Sequence, residues 1–148
     1  MKTPLSRRQF VGTTAAAAVA FPSILKAQDT QKKITVGVVG LSRGLGHLRK
    51  YMEASNCEVA YACDVDDRRI ASGLNIAKDY LKKFPQTKDP KGVNDFQRIL
   101  DDKSIDAISI AMPNFWHTTA AIHAMQAGKH VYVEKPGSQN SREAELLV

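Results

Sequence analysis

Cysteine is nearly absent from this chain: Cys57 and Cys63 are the two in 148 residues. They bracket the apolar run EVAYA. If that run is a strand, at about 3.3 Å per residue, the two thiols stand roughly 20 Å apart. A disulfide needs Cα atoms within about 7 Å, so the pair is expected to stay free. Neither has a second Cys or a nearby His at ligand spacing, which argues against a metal site. Acidic residues are missing from residues 1 to 27, where Lys2, Arg7, Arg8 and Lys26 stand alone. The rest of the chain holds 17 of the 21 basic residues and all 15 acidic ones, so most of the formal net charge of +6 belongs to the N-terminus. A charge placed there, rather than on a folded face, argues against a nucleic-acid role. What remains, 43% hydrophobic and 24% charged, is the composition of one globular domain able to bury a core.

The acid-free segment reads as an address. Arg7-Arg8 precede the uncharged stretch FVGTTAAAAVAF, too short and too weakly apolar to span a bilayer. Ser6-Arg7-Arg8-Gln9-Phe10-Val11 resembles the twin-arginine export signal. The alternatives are a basic tail, or a Sec signal, which the Ala- and Thr-rich stretch fits less well. The cut is poorly marked, because Leu25 occupies the small-residue position before Lys26-Ala27. Residues 1–27 are thus expected to be a signal, 28–32 a linker and 33–148 the domain. Processed by the twin-arginine export machinery, the protein would be periplasmic or extracellular, with no membrane span.

From residue 33 apolar β-branched runs alternate with helical periodicity. Strands are predicted at 34–39, 58–63, 105–111 and 130–133. Helices are predicted at 44–55, 67–83, 95–100 and 115–127, the last stopped by Gly128. In 67–83, Ile70, Leu74, Ala77 and Leu81 share one face. Residues 84–94, with Pro85, Pro90 and Gly92, form a loop that can end in a short strand. Strands separated by helices imply an α/β fold with a doubly wound parallel sheet. Ser141 is the expected cap of a final helix, with Glu143 and Glu145 in its first turn. The sequence stops within that apolar pattern, so the chain reads as the N-terminal part of a longer one.

The stretch VGVVGLSRGLGHL, residues 36 to 48, runs a strand into a glycine-rich turn. A dinucleotide-binding turn uses glycines for a tight bend, for close approach to the pyrophosphate and for helix–strand contact. The helix N-terminus then offers free N–H groups to the phosphates. Gly40 fits the first place, but Ser42 and Leu45 fall where strict spacing requires glycine. With the loop one residue short, Gly44 or Gly46 takes the helix contact and Ser42 can donate its hydroxyl. The candidate phosphate loop is therefore Gly40, Ser42, Arg43 and Gly44. Asp64, 24 residues after Gly40, ends the second strand, where a carboxylate can accept ribose hydroxyls and favour NAD. Its alternative role is a helix N-cap. Arg68 and Arg69 either pair the 2′-phosphate of NADP or form a solvated face.

Two further stretches are more specific. Ala111-Met112-Pro113-Asn114-x-x-His117 is followed by Ala127-Gly128-Lys129-His130-Val131-x-x-Glu134-Lys135-Pro136. With the glycine loop, these resemble the Gfo/Idh/MocA oxidoreductases over nearly all of the chain from Ile34. The resemblance implies a Rossmann domain followed by an α/β substrate domain that often forms the oligomer interface, hence a homo-oligomer when that second domain is present. It also implies that Pro113, Asn114, Trp116 and His117 line the nicotinamide side of NAD or NADP, and that Glu134 and Lys135 lie near the reacting carbon. A Thr commonly stands in the family where Met112 stands here. Both stretches follow predicted strands, so they reach the carboxyl edge of the sheet, where ligands bind.

Lys135 is the candidate catalytic group, taking or relaying a hydroxyl proton with its ammonium desolvated or beside a positive ring. A salt bridge to Glu134 or to a loop carboxylate is the structural alternative. His117 is expected to order the loop or touch the cofactor, Trp116 to stack on a ligand or pack in the core, and His123 and His130 to be structural. Three functions follow. The first is an exported NAD(P)-dependent oxidoreductase acting on a sugar or polyol-like small molecule. The second is a glycosidase that recycles a resident NAD, and the third a nucleotide-binding module without chemistry.

Overall fold

Ile34–Val39 forms β1, and its inner residues Val36, Val38 and Val39 are buried, as a strand covered on both faces requires. The computed structural model describes residues 33–84 and 88–148. The proposed signal, its cleavage site, the linker up to residue 32 and Pro85 lie outside the described residues. After β1 come α1 (Gly44–Glu53), β2 (Cys57–Cys63), α2 (Asp67–Lys83), β3 (Lys91–Val93) and α3 (Gln97–Asp101). Then follow β4 (Ala107–Ile110), a 3₁₀ turn (Asn114–Trp116), α4 (His117–Gln126), β5 (His130–Val133) and α5 (Ser141–Leu146).

Among the described residues the five strands are all parallel, in the order β3-β2-β1-β4-β5. The chain winds outward from β1 to β3, then returns to lay β4 on the other side of β1. The doubly wound parallel sheet expected from the sequence is the one observed. Alternation along β1 serves two cores: Val38 joins Leu48, Met52, Val59 and Ile70 beneath α1 and α2. Its neighbour Val39 joins Ile99, Ile108, Ile110 and Ala121 beneath α3 and α4. Side chains on a strand point to opposite faces in turn, so one strand supports both layers.

Helix ends differ from expectation in instructive ways. The cap of α2 is Asp66, whose carboxylate accepts from Arg68 N, with Lys82 and Lys83 complementing the dipole at the far end. The cap of α5 is Asn140, accepting from Glu143 N at 2.9 Å, so Ser141 is the first helical residue instead. The predicted helix 115–127 is preceded by a 3₁₀ turn after Pro113, and regular α4 starts at His117. The short helix starts at Gln97, its N–H held by the Asp95 carboxylate at 2.9 Å. Cys57 and Cys63 are free thiols, and burial pushes the Cys63 thiol up to about 12.

Leu48 is wholly buried between α1 and the sheet. Leu48→Ala is expected to destabilise the domain by about 2–5 kcal/mol, read from the urea unfolding midpoint at constant slope.

Candidate functional site

The two halves of the sheet part at the carboxyl ends of β1 and β4, where a cleft of about 610 Å³ opens. Gly40, at the end of β1, has φ +90° and donates its N–H to Cys63 O at 2.8 Å. A Cβ there would lie 2.5 Å from the Ala111 carbonyl carbon and oxygen. Only glycine permits both that conformation and that approach. Gly44 performs the helix–strand contact, since a Cβ would stand 3.2 Å from Val38 Cγ1 and 3.4 Å from Ala111 Cβ. Gly46, the other candidate, has open space around it.

The start of α1 has no side-chain cap and no acid in its first turn. Exposed Ser42 and Arg43 line the cleft beside it. An uncapped helix N-terminus with a hydroxyl and a guanidinium nearby is chemically fit for a diphosphate. Asp64 lines the same cleft, buried, and is not the cap of α2. Its Oδ2 accepts Leu41 N at 2.7 Å and its Oδ1 accepts Asp66 N at 3.0 Å, so the carboxylate braces the glycine loop against the end of β2. Each oxygen keeps a second lone pair for a further donor. The two arginines separate: Arg68 forks onto Asp66, whereas Arg69 lies 3.9 Å from Asp64 and lines the cleft. A purely solvated face therefore describes Arg68 but not Arg69.

On the opposite wall stand Met112, Pro113, Phe115 and Trp116. Trp116 is 45% exposed and lies against Phe115 at 6.2 Å between ring centroids, which corrects the core-packing alternative. Asn114 is exposed in the 3₁₀ turn and does not line this cleft. His117 lies beneath, buried, with Nδ1 2.7 Å from Pro136 O and Nε2 2.8 Å from Met112 O. Its ring thus ties the loop after β4 to the loop after β5. Thr118 adds to the tie, its Oγ1 lying 3.1 Å from Gly137 O and 3.0 Å from Glu143 Oε2. Glu143 Oε2 also accepts Gln139 N at 2.7 Å.

Glu134 and Lys135 are not among the residues that line the cleft. Lys135 is exposed and makes no ion pair among the described residues, which corrects the Glu134 salt bridge. Glu134 turns to His47 instead, with Oε1 2.8 Å from Nε2. That bond holds the Glu134 carboxyl below its ordinary value of 4.5, with help from the Lys135 N–H and nearby Arg43. The other His47 nitrogen, Nδ1, lies 2.9 Å from the buried Ser109 Oγ. Sequence reasoning missed His47, Ser109 and Phe115. One signal was available for His47: it stands three residues after Gly44, one helical turn along the same edge.

A parallel sheet of this order, a Gly40 turn leading into an uncapped helix, and a carboxylate closing β2 define a dinucleotide-binding Rossmann domain. Residues 34–148 match the Gfo/Idh/MocA family of oxidoreductases with an NAD-binding Rossmann fold, and the chain belongs to that family. A glycosyl hydrolase family 109 protein from Stenotrophomonas maltophilia is 31% identical over 135 residues, which are 88% of this chain and 29% of the relative. An NAD-binding protein from Listeria innocua superposes with a TM-score of 0.64 at 29% identity, covering 78% of this chain and 30% of that one. A scyllo-inositol dehydrogenase from Lactobacillus casei does so with a TM-score of 0.64 at 28% identity, covering 78% of this chain and 32% of that one. The chain thus spans under a third of the length of each of these relatives.

Because the folded-state value of Glu134 is lowered, its stabilising effect is fully present above 4.5 and is lost as pH falls through the lower folded value. Urea unfolding of wild type and Glu134→Gln is expected to show a stability gap at neutral pH that closes below the carboxylate range.

Proposed function

We propose that this chain is the cofactor-binding part of an NAD(P)-dependent enzyme acting on a sugar or polyol-like substrate. The observation that carries the reading is the cleft itself, lined by an uncapped helix start and a buried carboxylate, with an exposed lysine on the loop after β5. Gly40, Ser42, Arg43 and Gly44 hold the diphosphate, and Asp64 accepts from the adenosine ribose. Asp64 favours NAD, while Arg69 offers NADP a partner for its phosphate. Pro113 and Trp116 flank the nicotinamide, with Asn114 in the turn between them, and His117 holds the two loops that carry them and Lys135.

When bound, the nicotinamide supplies the hydride chemistry. Lys135 orients the substrate oxygen and takes or returns its proton as charge develops there. The likeness to an inositol dehydrogenase supports a polyol-like substrate. A second reading, a glycosidase with a resident and recycled cofactor, is favoured by the 31% identical relative named as a glycosyl hydrolase. Both readings use the same residues of this chain.

Calorimetric titration of the full protein is expected to show NAD binding, weakened at least tenfold by Asp64→Ala. Net reduction of NAD by a polyol would then support the dehydrogenase. Release of an aryl group from a glycoside with no net change in the cofactor would support the glycosidase, and no binding by wild type would overturn both.

We also propose export by the twin-arginine route, supported by Ser6-Arg7-Arg8 and the acid-free stretch around it. Replacing Arg7 and Arg8 by Lys is expected to leave the protein in the cytoplasmic fraction; unchanged export would refute the assignment.

A further inference from the structure

We propose that His47 is a positioning residue that holds the Glu134 carboxylate away from the Lys135 ammonium, leaving that ammonium unpaired for a substrate oxygen. The proposal rests on the reading of Lys135 as the group at that oxygen.

Glu134 and Lys135 are neighbours where β5 runs into its loop, and side chains as long as these can meet where the chain leaves the strand. Here something competes. His47 rises from the first turns of α1 and meets Glu134 Oε1 at 2.8 Å. The remaining oxygen, Oε2, accepts the Lys135 backbone N–H at 3.3 Å. Each carboxylate oxygen therefore has a partner other than the Lys135 ammonium, and the Lys135 side chain is exposed and makes no ion pair among the described residues.

The His47 ring is itself held. Ser109 on β4 has no exposed surface, and its Oγ lies 2.9 Å from Nδ1. A serine hydroxyl donating to Nδ1 leaves the ring proton on Nε2, where it is donated to the carboxylate. The ring of Tyr132, on β5, meets the imidazole edge-on at 5.3 Å and 86°. Thus α1, β4 and β5 each contribute one part of the arrangement: ring, anchor and carboxylate. The side chains of His47 and Glu134 are only 14% and 17% exposed, so water competes weakly for the bond.

An ammonium paired to a carboxylate has its donors occupied and its approach blocked. Drawn off by His47, Glu134 does neither to Lys135. The consequence is readable without turnover, as the reactivity of the Lys135 amine. In the full protein, trinitrobenzenesulfonate labelling of Lys135 is followed at fixed pH by peptide mass spectrometry. Exposed Lys103 serves as internal standard.

His47→Ala is expected to slow Lys135 labelling about threefold, the factor an exposed ion pair supports. The double variant His47→Ala/Glu134→Gln is expected to restore the wild-type rate, because the freed side chain no longer carries charge. His47→Gln, whose amide N–H still donates to the carboxylate, is expected to label as wild type does. Should His47→Ala fail to fold, His47→Asn is too short to hold the carboxylate and takes its place with the same expectation. An unchanged rate in the single variant, or a slowing that persists in the double variant, would overturn the proposal. This labelling pattern in a protein inactive on every sugar and polyol offered would refute the enzyme reading alone.

Discussion

The backbone contact between Gly40 and Ala111 is the constraint on which the site depends. β1 and β4 are neighbours in the sheet but separated in sequence by two outer strands. Their carboxyl ends must turn away from each other within a space that admits no Cβ at residue 40. That bend sets where α1 begins, and Gly44 then lets the helix settle on Val38 and Ala111. The same geometry aims the positive end of α1 at the cleft. Asp64, bonded to Leu41 N, completes the bend from the β2 side.

The opposite wall is organised by polar ties rather than by close packing of backbone. His117 and Thr118, adjacent on α4, reach the carbonyls of Pro136 and Gly137. Glu134 reaches across to His47 on α1. Loops from β4 and β5 are thereby fixed to each other and to the helix whose start lines the cleft. Such polar ties act over few atoms, so their geometry is specific where apolar contact alone would allow sliding.

This arrangement explains how relatives named for different chemistry share one domain. A dinucleotide site asks for a bend, a helix start and a carboxylate, and none of these chooses a substrate. The groups that distinguish one sugar or polyol from another are added to the fold at its loops, so the fold by itself does not determine the reaction.

The alternating sheet, its parallel sense and the edge at which the cleft opens were legible in the sequence. They follow from local patterns: β-branched runs, helical spacing and the position of Gly40 and Asp64. Cap residues were read less well, because Asn140 and Ser141 differ only in which side chain meets the Glu143 N–H. The site was legible as motifs but not as connections. Nothing in spacing shows that Arg68 turns to Asp66 while Arg69 faces the cleft, since both lie on one helical turn. A Glu134–Lys135 salt bridge was the alternative to a catalytic Lys135, and spacing alone does not show that Glu134 turns to a third group instead. That third group, His47, lies 87 residues away along the chain. Local periodicity and turn chemistry determined which elements form and which edge they expose. Only the tertiary fold decided which charges meet, because it alone brings α1, β4 and β5 to one point.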